Sequence, residues 1–141
     1  MEIIYTLEQL DKVAATLLKN TDHKILLFHG DMGTGKTTLI QELINQLGGD
    51  KNQVFSPTFS LVNEYEVEND LVYHFDFYRI DDDEEAYDIG IEDYLNSGRW
   101  IFIEWPNKIE KILQFIGKNV YLNRNDDESR TLKLEKKINL T

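Results

Sequence analysis

The chain contains no cysteine, which excludes disulfides, thiolate nucleophiles and Cys-ligated zinc or iron–sulfur sites. It has only two prolines, Pro57 and Pro106, each at an apparent element boundary. No Pro-, Gly- or Ser-rich linker and no internal repeat divides it. Arginine is scarce, with Arg79, Arg99, Arg124 and Arg130 scattered along the chain. No apolar run approaches the roughly 20 residues of a membrane span. Residues 1–5 lack the basic flank and small-residue cleavage site of a signal peptide. These absences predict one cytoplasmic domain, for which 141 residues is a suitable length.

What is abundant is negative charge, and it is unevenly spread. Residues 64–93 hold thirteen acids and one base, Arg79, while the net charge of the whole chain is -11. That segment therefore carries -12 and the rest of the chain +1. A face so acidic repels phosphates, which argues against nucleic acid lying across it. It suits a solvated surface or a docking surface for a basic partner.

The hydrophobic pattern alternates between two periods. Thr6 and Gln9 have the spacing of a capping box, and Leu7, Leu10, Val13, Ala14, Leu17 and Leu18 follow at helical intervals. Residues 24–29 form an apolar run that reads as a buried strand. Leu39, Ile40, Leu43, Ile44 and Leu47 restore the helical period, which Gly48-Gly49 ends. Strands are predicted over 58–65, 71–78 and 100–105, with a turn at 66–70. Helical pieces are expected over 81–96, interrupted near Gly90, and a short amphipathic helix over 107–116. Residues 120–122 and 131–136 read as a closing hairpin. Helices interleaved with apolar strands define an α/β sandwich, with a mostly parallel sheet and antiparallel strands at one side.

Gly30-Asp31-Met32-Gly33-Thr34-Gly35-Lys36-Thr37 satisfies G-x-x-x-x-G-K-[ST], and it lies between a buried strand and an amphipathic helix, the context that motif requires. Its glycines permit backbone angles and close approaches that a Cβ forbids. N–H groups from Asp31 to Thr38, through Met32, Gly33, Thr34 and Gly35, are expected to cradle phosphate oxygens, aided by the helix N-terminus. Lys36 should reach the β- and γ-phosphates, Thr37 should offer its hydroxyl to Mg²⁺, and Thr38 should meet the α-phosphate.

Such a loop needs a further acid near the end of a neighbouring apolar strand, to hold Mg²⁺ or to order the attacking water. Asp76 and Glu104 are the candidates, since an acid in an apolar strand is costly to bury without a partner. The competing roles are a structural salt bridge for Glu104, and pairing with Arg79 or a turn cap for Asp76. His74 shares a strand face with Asp76; it either orients that acid or is a hydrogen-bonded structural histidine. Thr58, in Ser56-Pro57-Thr58, either senses the γ-phosphate or starts a strand. Trp105 either lines the nucleotide pocket or packs. Asn107-Lys108-Ile109-Glu110 nearly matches the guanine-reading N-K-x-D, but with Glu in place of Asp it reads as an ordinary first helical turn.

GDMGTGKTT (30–38), SPTFSLVNEY (56–65), HFDFYRI (74–80) and IEWP (103–106) occur in an order and at spacings that resemble the TsaE family, formerly YjeE. The resemblance spans nearly the whole chain. It implies a three-layer α/β P-loop ATPase needed for threonylcarbamoyladenosine (t6A) at position 37 of ANN-decoding tRNAs. It implies ATP and Mg²⁺ as cofactors, with Thr37 and Glu104 as metal ligands and Asp76 acting on the hydrolytic water. Thr6 and Arg130 match positions linked to nucleotide contact. The family works with TsaB and TsaD, reaches tRNA indirectly through that complex, and leaves the threonylcarbamoyl transfer to TsaD. A small-molecule kinase on the same scaffold is the competing reading, but no Arg-rich lid or lid-sized insertion is visible. A GTPase-like switch is a third.

Overall fold

A computed structural model describes residues 1–55, 57, 60–114 and 116–136. Seven strands form one sheet in the order β1-β7-β6-β2-β5-β4-β3. They are β1 (Glu2–Tyr5), β2 (Ile25–His29), β3 (Val62–Val67), β4 (Asp70–Asp76), β5 (Trp100–Glu104), β6 (Lys118–Arg124) and β7 (Arg130–Lys136). The central strands β6, β2, β5 and β4 run parallel. Antiparallel strands flank them at both edges, not at the one side expected, with β3 folded back on β4 and with β7 and β1 beyond β6.

Strand alternation explains the two cores. In β2, Leu26 and Phe28 join one apolar cluster and Leu27 the other; in β5, Phe102 faces one side and Ile101 and Ile103 the other. The first cluster is closed by α1 (Leu10–Asn20) and α2 (Lys36–Gln46) through Val13, Leu17, Leu39, Ile40 and Leu43. The second is closed by α3 (Asp83–Asp88) and α4 (Ile91–Leu95), with Ile109 and Leu113. Gly90 separates α3 from α4, the interruption expected there. The Asp82 carboxylate caps α3 by accepting from the Glu84 N–H at 3.1 Å, and three acids in the first turn suit the helix dipole.

Three local expectations are revised and one strand was not anticipated. The helix expected over 107–116 is a 3-10 turn, Pro106–Ile109, followed by further turns. Among the described residues of that segment only Ile109 and Leu113 are buried, and so few anchors do not sustain a helix nucleus. β1 carries a mixed polar sequence with too little alternation to be legible; its pairing with β7 defines it. β3 begins at Val62, later than expected. β4 stops at Asp76 instead of Tyr78: the Phe77 N–H donates to the Glu104 carbonyl at 3.2 Å as the last rung of the parallel ladder to β5, and the Tyr78 N–H turns to the Asp76 carboxylate. Ser56 and Thr58 lie outside the described residues. Among the described residues, no helix is long and apolar enough to cross a membrane.

Candidate functional site

The site is built where β2, β4 and β5 end, since side chains and loops converge at the carboxyl edge of a parallel sheet. β2 passes through Gly30 into the loop that leads to α2. A Cβ on Gly30 would lie 2.7 Å from Thr34 Oγ1 and 2.8 Å from the Leu122 carbonyl, so no other residue fits there. Gly35 holds φ +96° as the residue before α2, a left-handed conformation that glycine adopts without strain.

Thr34 is buried and braces the loop from within. Its N–H and its hydroxyl both donate to the Asp31 carbonyl, at 3.3 and 2.9 Å. Thr34 therefore braces the cradle from behind. Met32, Gly33, Gly35, Lys36, Thr37 and Thr38 line an open cleft of about 260 Å³, whereas Asp31 does not. The first turn of α2 leaves its N–H groups without intrahelical partners, and they form the donor-rich end of this cleft.

Lys36 is 6% exposed. Its Nζ donates to the Gly30 carbonyl at 2.5 Å and lies 3.7 Å from the centre of the Trp105 ring, a cation–π contact. Burial pushes the Lys36 ammonium below the ordinary lysine value, while Glu104, Asp76 and Asp31 oppose that shift. Trp105 holds φ 56° and ψ 51°, a strained conformation for a bulky residue. Its ring also packs 4.9 Å from that of Tyr78, so Trp105 both lines the cleft and packs.

Asp76 and Glu104 are direct neighbours in the parallel register of β4 and β5. Both are buried, and both line the cleft. The Thr37 hydroxyl donates to Glu104, 3.2 Å from Oε1 and 3.5 Å from Oε2. Asp76 Oδ1 accepts from the Tyr78 N–H at 2.9 Å, which fixes the direction of its carboxylate. His74 bonds Glu104 and not Asp76: its Nε2 lies 2.7 Å from Oε2. Asn107 and Lys108 belong to the 3-10 turn after Trp105 and do not line the cleft.

Thr6 and Arg130 lie together in an adjoining hollow. The Thr6 N–H donates to the Gln9 side chain at 3.0 Å, as the capping-box spacing predicts. Arg130 is buried, with its Nε lacking a hydrogen-bond partner among the described residues. That Nε lies 3.6 Å from where a Cβ on Gly35 would be. The tertiary structure thus brings an arginine beside the loop that none flanks in sequence. Tyr78 and the His74–Glu104 bond were not anticipated; alternation put His74 and Asp76 on one face, but only strand register shows which acid His74 meets.

A buried lysine in a glycine-rich turn, the start of a helix and two acids on the neighbouring parallel strands define a P-loop nucleotide-binding domain. Residues 4–133 match the family described as threonylcarbamoyl adenosine biosynthesis protein TsaE. The chain belongs to the TsaE family. It is 40% identical over 131 residues to the tRNA threonylcarbamoyladenosine biosynthesis protein TsaE of Haemophilus influenzae, covering 92% of this chain and 82% of that one. It is 34% identical over 124 residues to the protein of that name in Bacillus subtilis, covering 86% and 73%. The namesake from Rickettsia felis is 41% identical over 106 residues, 75% of this chain, and the match spans 60% of that protein's length. The crystal structure of Bacillus subtilis YdiB has the same fold, with a TM-score of 0.75 at 21% identity over 96% of this chain and 84% of that one.

Proposed function

We propose that this chain is the ATP-binding and ATP-hydrolysing component of t6A formation on tRNA, acting with TsaB and TsaD and leaving the threonylcarbamoyl transfer to TsaD. The observation that carries the reading is the adjacency of Asp76 and Glu104 at the mouth of the cleft, with the Thr37 hydroxyl 3.2 Å from Glu104. The donor set fits the cofactors. A hydroxyl and a carboxylate oxygen side by side are hard donors of the kind Mg²⁺ selects. The helix N-terminus, Lys36 and Arg130 supply the positive field that a triphosphate needs.

In this reading Gly33, Gly35, Lys36, Thr37 and Thr38 bind the phosphates, with Met32 at the rim and with Asp31 and Thr34 setting the loop's shape. Lys36 exchanges its bond to the Gly30 carbonyl for phosphate oxygens. Thr37 and Glu104 hold Mg²⁺, which when bound stabilises the charge that develops on those oxygens. Asp76, its direction set by the Tyr78 N–H, orients the attacking water and accepts its proton. Thr6 and Arg130 contact the nucleotide from the adjoining hollow.

The test measures ATP turnover and t6A formation with the purified chain, TsaB, TsaD and tRNA. Turnover should be slow for the chain alone and faster with its partners, and t6A should require the chain. Lys36→Ala should weaken ATP binding at least 100-fold, about 3 kcal/mol. Full t6A formation without this chain, or with the Lys36→Ala variant, overturns the reading.

A further inference from the structure

We propose that His74 is a positioning residue for Glu104, holding that carboxylate so that its other oxygen meets Mg²⁺ beside Thr37; the proposal rests on the Mg-nucleotide reading above. His74 lies on β4, fully buried. Its Nδ1 has no hydrogen-bond partner among the described residues, whereas its Nε2 is 2.7 Å from Glu104 Oε2. With one nitrogen partnered, the ring hydrogen belongs where a carboxylate accepts it, so the Nε2–H donates to Oε2.

A buried imidazole with a single polar contact among the described residues is a costly core residue, because its second nitrogen is desolvated without return. Phenylalanine would fill the same space, as it does at Phe75 and Phe77 on the other face. The bond it makes is therefore informative. Oε2 is occupied by His74, and Oε1 is the oxygen nearer the Thr37 hydroxyl, at 3.2 Å against 3.5 Å. A glutamate side chain has three torsions, and freezing them on metal binding costs conformational entropy. With Oε2 tied to a neighbouring strand, that ordering is complete beforehand.

The imidazole is itself held. The Tyr65 ring lies 6.1 Å from it, and the Tyr65 hydroxyl accepts from the Phe55 N–H at 3.2 Å and donates to the Phe55 carbonyl at 2.9 Å. Partners that orient a metal ligand from behind typically carry about 10–100-fold in metal affinity.

The test reads metal binding, not turnover. Mg²⁺ is titrated calorimetrically into protein saturated with a non-hydrolysable ATP analogue, and the analogue is titrated separately in EDTA. His74→Phe, which keeps a ring and removes the donor, should weaken Mg²⁺ by about 10–100-fold and leave metal-free nucleotide affinity unchanged. His74→Gln, whose amide N–H reaches the Nε2 position, should recover most of that affinity, and His74→Asn, too short to reach, should not. The Gln and Asn pair carries the comparison if thermal melting shows the Phe variant unfolded. Unchanged Mg²⁺ affinity in His74→Phe, or Gln no better than Asn, overturns the proposal while the Mg-nucleotide reading stands. A wild-type chain that binds the analogue without any response to Mg²⁺ overturns both.

Discussion

Lys36 carries its charge where little water reaches it, and that has a consequence for stability. Its pKa is pushed down by burial, against the pull of Glu104, Asp76 and Asp31. A lysine depressed in the folded state binds its proton less readily there than in the unfolded chain. The folded state therefore bears a penalty below the depressed value, and this fades as pH rises toward the ordinary lysine value near 10.4. Lys36→Met should raise the melting temperature of the nucleotide-free protein at pH 7, and the gap to wild type should narrow at pH 9.5. A gap that widens with pH would reverse the assigned sign. Asp76 tests the chemistry separately. Asp76→Asn keeps an acceptor for the Tyr78 N–H and removes the proton acceptor, so turnover should fall by about 100-fold or more while Mg-ATP affinity holds. Loss of Mg-ATP binding in that variant would make Asp76 a metal ligand instead.

At the level of elements, the loop between β2 and α2 depends on two close approaches. Gly30→Ala would set a Cβ against the Leu122 backbone carbonyl at 2.8 Å and against the Thr34 hydroxyl at 2.7 Å. The carbonyl belongs to β6 and has little room to move. The substitution should cost about 1–3 kcal/mol in urea unfolding and weaken nucleotide binding through the displaced loop; wild-type stability in that variant would show that the loop yields. The helices and central strands were legible because their apolar periods are strong: Leu39, Ile40, Leu43 and Ile44 mark the buried face of α2, and residues 24–29 mark β2. The acids Asp76 and Glu104 were legible because a carboxylate in an apolar strand is conspicuous. β1 was not, since four mixed residues carry no period, and the helical spacing read over 107–116 is realised as a 3-10 turn and further turns. Nor was the partner of His74, because sequence shows a side chain's face and never which strand lies beside it.

For the molecule as a whole, charge decides the kind of partner. The acids of residues 64–93 lie on β3, β4, α3, α4 and their connections at one edge of the sheet, and of them only Asp76 is buried. Phosphate backbones are repelled from such a surface. The purified chain should leave labelled tRNA unbound in a filter assay at about 0.15 M salt, and retention should appear only when TsaB and TsaD are added. Strong binding by the chain alone would place tRNA on it directly. The linear order of residues settled the α/β class, the P-loop and its lysine, and the two acids, because each rests on local spacing, glycine geometry or the cost of a charge among apolar neighbours. The adjacency of Asp76 to Glu104, the His74 bond behind it, the lid of Trp105 over Lys36 and the arrival of Arg130 beside Gly35 belong to the tertiary structure alone. Those contacts join segments from 28 to 95 positions apart, and strand order and register, which no local pattern encodes, bring them together.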